Sequence, residues 1–297
     1  MDALVVGAGP AGLAAALQLG RQGVRTVLLE KGRPGGQVLT ANRVENYLGL
    51  PPVPGAQLAA LFVRQALRAG VRIVRSEALE IGCGATFEVR TAGGAVYRAR
   101  VVVLATGALP RKLDGLAAQA EGKVRYDTDD LESFRDKKAI VLGGGDAALD
   151  RALRLKAVCS SICVVSRGSI TALPALVDDC RRAGVKMVQG AGKWDVRQRS
   201  GGLSVRTGKG NFPADMVLAS IGKEPHSPLL PRPLEELRPS FPCGETTIPG
   251  FYVIGDLAAG RYRQLSVATG MGVASAMHAG EYLKRRYGVQ ARENPWK

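Results

Sequence analysis

Cysteine and histidine are scarce in this chain of 297 residues. The two histidines, His226 and His278, stand far apart, and the five cysteines include no Cys-x-x-Cys pair. Zinc sites and disulfide frameworks need such residues at close and regular spacing. The sequence therefore predicts neither a structural metal site nor a disulfide scaffold.

The chain also lacks an uninterrupted apolar stretch long enough to span a membrane. Residues 3–20 come nearest, but they contain four glycines, a proline and a glutamine. Asp2 stands where a signal peptide would carry positive charge. We therefore expect no signal peptide and no membrane partner, and we expect the protein in the reducing cytoplasm.

Acidic residues are outnumbered, with 26 Asp and Glu against 41 Lys and Arg, which gives a net charge of +15. The hydrophobic fraction of 46% is too high for a disordered chain. The positive surplus favours an acidic protein partner, and no nucleic-acid partner is expected. A merely solvated basic face is the alternative, because Arg64, Arg68, Arg72 and Arg75 recur at helix-like spacing.

The first 30 residues predict a β-α-β unit around a glycine-rich turn. The motif Gly7-x-Gly9-x-x-Gly12 follows an apolar run and precedes a helical pattern. Glycines allow a tight turn there, and backbone N–H groups can approach a pyrophosphate at the helix N-terminus. Glu30 ends the next strand, where its carboxylate can accept hydrogen bonds from ribose hydroxyls. A glycine turn with an incidental acid is the alternative.

A second unit of the same kind begins at residues 139–142 and continues into Gly143-Gly-Gly-Asp-Ala-Ala148. Glu30 lies 23 positions after Gly7, and the same spacing from Gly143 leads to Ser166 and Arg167. A hydroxyl and a guanidinium suit a ribose 2′-phosphate better than a ribose 2′-hydroxyl. We expect NADPH in preference to NADH, although a weakened or unused site remains open.

Length and pattern together predict an α/β protein with two Rossmann-like dinucleotide-binding domains. Further apolar runs end in Ala105-Thr106-Gly107 and Gly255-Asp256, which indicates strand ends close to a ligand. Residues 225–242 contain six prolines and are interpreted as a segment that returns the chain to the first domain.

Seven motifs occur in the order found in one known family. They are Gly7-Ala-Gly-Pro-Ala-Gly12, Gly35-Gly36-Gln37, Val44-Glu-Asn-Tyr-x-Gly49, Ala105-Thr-Gly107, Gly143-Gly-Gly-Asp-Ala-Ala148, Gly255-Asp256 and Tyr262-Arg-Gln264. On these motifs the chain resembles the low-molecular-weight thioredoxin reductases, which are FAD-dependent pyridine nucleotide oxidoreductases. The resemblance implies a homodimer of subunits with three-layer ββα domains. It implies an FAD domain at residues 1–110 and 246–297 and an NAD(P)H domain at residues 111–245, which rotate about hinges at residues 109–113 and 245–249.

The resemblance also implies the residues that hold each cofactor. For FAD they are Gly7, Gly9, Pro10, Ala11, Gly12, Glu30, Lys31, Gly36, Gln37, Asn46, Ala105, Thr106, Gly107, Gly255, Asp256, Arg263, Gln264 and Leu265. For NADPH they are Gly143, Gly145, Asp146, Ala147, Ser166 and Arg167.

The chain departs from the family at the redox-active Cys-x-x-Cys, whose cysteines map onto Asp127 and Asp130. A carboxylate cannot exchange disulfides, so thiol relay through this position is excluded. The chain is in this respect similar to thioredoxin-reductase-like ferredoxin:NADP oxidoreductases, whose second loop matches Asp146 and Asp150. We therefore expect electron transfer between NAD(P)H and a partner other than thioredoxin, such as an acidic ferredoxin or flavodoxin.

Two other functions remain open. One is disulfide reduction with cysteines supplied by the partner, and the other is flavin binding without NAD(P)H turnover. Cys159 and Cys163 are considered as a displaced redox pair, against the simpler interpretation of buried small hydrophobic residues.

No catalytic side chain is obligatory, because the flavin itself carries the electrons. Asp127 and Asp130 are candidates for a carboxyl pair of raised pKa that delivers protons near the flavin, or else they are solvated or cap a helix near Leu131. Tyr47 is a candidate for a position near the flavin ring. Trp296 is a candidate for stacking on that ring, against a frayed tail or a dimer contact.

Overall fold

The computed structural model describes residues 1–114, 118–225 and 227–289. The first part of the chain contains β1 (Ala3–Val6), α1 (Pro10–Arg21), β2 (Thr26–Glu30), α2 (Gly55–Arg68), β3 (Arg72–Arg75), β4 (Ala78–Cys83), β5 (Phe87–Thr91), β6 (Val96–Ala99), β7 (Val101–Leu104) and β8 (Ala108–Pro110). The middle part contains β9 (Val124–Arg125), β10 (Lys138–Leu142), α3 (Asp146–Lys156), β11 (Ser161–Val165), α4 (Pro174–Arg182), β12 (Lys186–Val188), β13 (Asp195–Arg199), β14 (Gly202–Thr207), β15 (Gly210–Ala214) and β16 (Met216–Ala219). The last part contains β17 (Lys223–Pro225), α5 (Leu234–Leu237), β18 (Phe251–Val253) and α6 (Leu265–Tyr287).

The first domain is built on a parallel sheet with the strand order β18-β7-β1-β2-β3. Its central strand β1 is buried along its whole length, which explains its unbroken apolar sequence. Val5 packs with residues of α1 and α6 on one face, whereas Leu4 and Val6 pack with the β4-β5-β6 sheet on the other. Each such buried side chain contributes roughly 1.5–3 kcal/mol. The predicted three-layer ββα arrangement is confirmed.

The second domain repeats this architecture around the parallel sheet β12-β11-β10-β16-β9. Helices α3 and α4 cover one face, where Leu149 and Leu155 pack on Val141 and Val164. The antiparallel β13-β14-β15 sheet covers the other face through Leu203 and Val205. The second dinucleotide-type unit predicted from the sequence is confirmed as β10-α3-β11.

The two domains are joined by a short antiparallel ribbon in which β8 pairs with β17. Immediately after β17 the chain packs into the first domain, because Leu229 and Leu237 lie in the same core as Leu4 and Phe251. On this packing we propose that the first domain resumes after β17, earlier than the predicted position 246, and that β17 is the second hinge. The proline-rich segment is thus part of a core and not only a connection.

None of the helices in the described residues is long and apolar enough to cross a membrane.

Candidate active site

A cavity of about 590 Å³ opens at the carboxyl ends of β1, β2, β7 and β18. Parallel sheets bind ligands at this edge, and the size suits a large cofactor. Sixteen residues predicted for FAD line it: Gly7, Gly9, Pro10, Ala11, Glu30, Gly36, Gln37, Asn46, Ala105, Thr106, Gly107, Gly255, Asp256, Arg263, Gln264 and Leu265. The structure leaves two predicted residues outside this lining. Lys31 is exposed, and its Nζ lies 3.7 Å from Glu77 Oε1. Gly12 lies in the first turn of α1, packed against the carbonyl group of Gly7.

The glycines of the first loop have two different physical roles. A Cβ on Gly12 would lie 1.9 Å from the Gly7 carbonyl oxygen, so glycine there is required for packing of the helix on the strand. A Cβ on Gly9 would meet no protein atom within 4 Å. Gly9 therefore leaves space that the protein does not fill, beside the first backbone N–H groups of α1. This cradle fits the pyrophosphate of a dinucleotide.

Glu30 is held in place by two backbone donors. Ala8 N donates to Glu30 Oε2 at 2.7 Å, and Gly32 N donates to Oε1 at 2.8 Å. A carboxylate has about four lone-pair positions, so two remain that can accept from ribose hydroxyls. The first-loop residues as a set fit an adenosine diphosphate moiety such as that of FAD.

Residues far apart in sequence come together at the other end of this cavity. Asn46 Nδ2 donates to Gln264 Oε1 at 3.2 Å, and Gln37 Nε2 donates to the Ala108 carbonyl oxygen at 3.1 Å. Arg263 Nε donates to the carbonyl oxygen of Asp256 at 3.3 Å. Burial raises the pKa of the Asp256 carboxyl. These amide, carboxyl and guanidinium groups are what a ribityl chain and a flavin ring edge require.

The structure does not bring Tyr47 into this cavity, which corrects its prediction as a ring-proximal residue. Its ring packs edge-on against Phe62, with centroids 5.5 Å apart, beside a small core that contains Val38 and Leu58. The apolar body of the tyrosine is used for packing, although it directly follows Asn46 in the chain.

A second cavity of about 530 Å³ surrounds the glycine loop of the second domain. All six residues predicted for NADPH line it: Gly143, Gly145, Asp146, Ala147, Ser166 and Arg167. The Asp146 carboxylate accepts from Leu173 N at 2.8 Å, which fixes the loop that leads into α4. The cavity is also lined by Trp194, which the sequence reasoning missed.

Arg167 and Trp194 form a stacked pair at this cavity. The guanidinium carbon of Arg167 lies 4.6 Å from the centre of the indole ring. The indole Nε1 is buried and has no hydrogen-bond partner among the described residues. Such a pair presents a fixed cation with a flat aromatic face, which suits a phosphorylated adenosine.

The two cavities share part of their walls. Seven residues line both of them: Gln37, Asp146, Ala147, Arg151, Lys223, Asp256 and Arg263. Contacts between the domains hold this arrangement, because Asp150 Oδ2 accepts from Asn42 N at 2.9 Å and Arg154 donates to the carbonyl oxygen of Leu39. The two candidate nucleotide sites therefore face each other directly.

Asp127 and Asp130 lie outside the linings of both cavities in the described parts of the chain. Asp130 Oδ1 accepts from Ser133 N at 3.2 Å, where a short 3-10 helix begins, and Asp127 Oδ1 accepts from Asp129 N at 3.3 Å. These are turn and capping bonds. The expectation of a proton-delivering pair beside the flavin is wrong for this domain arrangement. Burial and the neighbouring Asp127 raise the pKa of the Asp129 carboxyl.

The cysteines do not form a redox pair in this structure. Cys159 Sγ donates to the carbonyl oxygen of Phe134, and burial raises its pKa to about 11, so the reactive thiolate is disfavoured. Cys163 lies in β11, and its pKa is also raised by burial. Both are best explained as small packing residues. Trp296 lies outside the described residues.

Comparisons with known proteins identify the family of the chain. The model of the family described as pyridine nucleotide-disulphide oxidoreductase matches residues 1–272. The chain belongs to this family. A thioredoxin reductase of Listeria monocytogenes is 30% identical over 308 residues, covering 95% of this chain and 94% of that protein. One from Treponema pallidum is 32% identical over 303 residues, covering 95% and 97%.

Solved structures show the same fold. The structure of Lactococcus lactis thioredoxin reductase in its FR conformation matches with a TM-score of 0.85 at 24% identity, covering 96% of this chain and 99% of that one. The family match and these relatives confirm the resemblance inferred from the seven motifs. The chain is a thioredoxin reductase-like, FAD-dependent NAD(P)H oxidoreductase.

Several residues of the site were not predicted from the sequence: Lys223, Arg151, Trp194 and, as a domain contact, Asp150. Lys223 carried a usable signal, because it follows an apolar run that ends in Ile221-Gly222. Arg151 and Trp194 carried none, because neither stands at a strand end or in a glycine loop.

Proposed function

We propose that this protein transfers electrons between NADPH and a partner protein through bound FAD, with no protein dithiol as a relay. The observation that carries the proposal is the shared wall of the two cavities, which lets a nicotinamide and a flavin meet. When bound, FAD supplies the chemistry by accepting a hydride from the nicotinamide and passing electrons on singly or in pairs.

The roles of the chain's own residues follow from their positions. Gly9 and the N-terminus of α1 would bind the FAD pyrophosphate, and Glu30 would bind the adenosine ribose. Asp256 and Gln264 would orient the ribityl chain and the ring. Ser166 and Arg167 would hold the NADPH 2′-phosphate. The work of the protein is then orientation of two cofactors, which avoids the entropic cost of a bimolecular encounter.

An acidic electron carrier such as a ferredoxin or flavodoxin is the proposed partner. The net charge of +15 supports it, because such a charge accelerates encounter with an acidic protein. The four arginines at helix-like spacing, which form the arginine row Arg64, Arg68, Arg72 and Arg75, do not share one helix face. Helix α2 ends at Arg68, and β3 holds Arg72 and Arg75. All four side chains of the row are nevertheless exposed on the first domain.

A homodimer is also proposed. Val273 and Met277 of α6 are 40% and 51% exposed and lie one helical turn apart. An apolar pair on the outer surface of a long helix is consistent with contact to a second copy.

The test is an anaerobic titration of the purified yellow protein with NADPH, NADH and reduced ferredoxin, recorded by flavin absorbance. NADPH is expected to bleach the flavin, and oxidised ferredoxin is expected to restore the colour at a rate that falls with added salt. In a Cys159→Ser, Cys163→Ser double variant, the rates of flavin reduction by NADPH and of reoxidation by ferredoxin should stay within about threefold of the wild type, because these thiols do not line the cavities. Loss of electron transfer in that variant would contradict the dithiol-free route.

The relatives named thioredoxin reductase favour a second candidate, namely disulfide reduction with cysteines supplied entirely by the partner. Turnover of NADPH with a disulfide substrate and none with ferredoxin would select it. A flavin that neither nucleotide nor ferredoxin can reduce would instead indicate a flavin-binding protein without turnover.

Replacement of Asp150 by alanine is expected to slow reduction of the flavin by NADPH about tenfold. The change removes the acceptor for the backbone N–H groups of Asn42 and Arg43, and hydrogen bonds to a charged acceptor contribute about 1.5–3 kcal/mol. The arrangement in which the cavities meet is then less populated. Stopped-flow absorbance measures the rate, and Asp178→Ala, which removes a surface ion pair within α4, should leave it unchanged. An unaltered rate in Asp150→Ala would show that this contact does not hold the domains.

A further inference from the structure

Lys223 occupies the junction of the two cavities and has no role in the function described so far. It begins β17 and pairs with Pro110 of β8, so it sits on the ribbon that joins the domains. It lines both cavities. Arg263 Nη1 donates to its carbonyl oxygen at 2.8 Å, and the same guanidinium bonds the Asp256 backbone, so the lysine is fixed to the wall of the first cavity.

The charges around this ammonium leave it poorly compensated. Arg151 of α3 and Arg263 face it with the same sign, and Asp256 is the acid that opposes them. Among the described residues, Arg151, Asp256 and Arg263 are the charged groups that act on the Lys223 ammonium, and none of them is hydrogen-bonded to it. Burial and Arg151 lower its pKa to about 8.

A half-buried cation without a hydrogen-bonded partner is costly unless a ligand supplies negative charge. The nearby Arg151 is better compensated. Its Nη1 donates to Ser220 Oγ. Three acids attract its positive charge, namely Asp127, Asp129 and Asp150. Lys223 is therefore the group in the junction whose charge most requires a partner from a bound cofactor.

We propose that Lys223 stabilises the negative charge gained by FAD on reduction and thereby raises its reduction potential. The proposal rests on the proposed function, in that FAD fills the first cavity and NADPH the second. Hydride transfer moves two electrons and one proton from the nicotinamide of NADPH, which leaves as NADP⁺. The flavin gains one negative charge, and Lys223 keeps its proton throughout.

The test measures the equilibrium reduction potential of the bound flavin against a redox dye, with no NADPH and no partner present. In Lys223→Met the ratio of reduced to oxidised flavin at a fixed dye potential should fall about tenfold, which for a two-electron couple is about 30 mV. Lys223→Arg should stay within threefold of the wild type, because it keeps the charge. Lys284→Met, at the exposed end of α6, should change nothing.

The pH dependence gives a second readout. Lys223 is protonated below its pKa of about 8 in the oxidised protein. Reduced flavin beside it would raise this pKa. The tenfold difference in the ratio of reduced to oxidised flavin between the wild type and Lys223→Met should therefore be complete at pH 7. It should shrink as the pH rises above 8, where the lysine loses its proton.

The outcomes separate this proposal from the proposed function. A colourless wild-type protein that added FAD cannot reconstitute would overturn both. If the wild type and Lys223→Met are both yellow and their ratios of reduced to oxidised flavin at the same dye potential agree within threefold, the role of the lysine alone is overturned. If Lys223→Met does not retain FAD, Lys223→Gln is measured instead. Loss of FAD in both, with native circular dichroism, would mean that Lys223 serves cofactor binding and not the potential.

Discussion

Replacement of Gly12 by alanine should yield protein that no longer retains FAD and that unfolds at lower temperature. The added methyl would lie 1.9 Å from the Gly7 carbonyl oxygen and 3.3 Å from a methyl of Val5. Gly7 lies in the β1–α1 turn and Val5 lies in β1, so α1 must move away from the strand. Overpacking of this kind costs about 1–3 kcal/mol, and the stabilisation by bound FAD, about 4 kcal/mol at a thousandfold excess over Kd, would be lost as well.

Two other glycines serve as matched controls. Gly9 has φ −73 and no protein atom within 4 Å of the added methyl, so the apoprotein of Gly9→Ala should be as stable as the wild type. Its methyl would enter the proposed pyrophosphate space, and the affinity for FAD should fall at least about tenfold, which corresponds to 1.4 kcal/mol. Gly93→Ala, in an open turn, should alter neither property.

The measurements are the flavin-to-protein ratio after purification and thermal unfolding with and without added FAD. Normal FAD content in Gly12→Ala would show that the close approach of α1 to β1 is not needed. Normal FAD affinity in Gly9→Ala would show that the pyrophosphate does not lie over this loop.

The elements that the sequence predicted best are those in which one physical requirement fixes the residue. Gly7 and Gly12 have no sterically acceptable substitute, because a Cβ would clash with the Ala105 backbone at Gly7 and with the Gly7 carbonyl oxygen at Gly12. The motif therefore predicts β1-α1-β2 directly. Buried parallel strands such as β1 and β10 need apolar residues on both faces, and both were found on this basis.

The parts that could not be predicted depend on how separate segments pack. Leu229 and Leu237 follow prolines in a segment with the composition of a linker, and only the three-dimensional structure shows them in the core of the first domain. Arg151 and Lys223 lie 72 positions apart, and they meet because the second domain folds α3 against the end of β16, where Arg151 donates to Ser220 Oγ. Asp127 and Asp130 were placed by resemblance to a redox motif, yet hydrogen bonding in the turn decides what they do.

The choice of nucleotide also depends on packing that the sequence did not reveal. The spacing from Gly143 pointed to Ser166 and Arg167, but a single exposed guanidinium would be mobile and bind a phosphate weakly. Stacking on Trp194, with the guanidinium 4.6 Å from the ring centre, restricts Arg167 before the nucleotide arrives. The side-chain entropy lost on binding is then smaller, which strengthens the binding of a phosphate by this single guanidinium.

Arg167→Ala is therefore expected to weaken binding of NADPH about 10-fold to 100-fold and that of NADH by less than threefold. Charge-assisted hydrogen bonds contribute about 1.5–3 kcal/mol, and NADH has no 2′-phosphate to lose them. Quenching of tryptophan fluorescence in a Trp296→Phe background, where Trp194 is the remaining tryptophan, measures both affinities. Arg199→Ala, exposed at the end of β13, serves as the charge-matched control and should bind both nucleotides normally. Equal weakening of the two nucleotides would mean that Arg167 holds a part that they share, such as the pyrophosphate, and the preference for NADPH would then need another source.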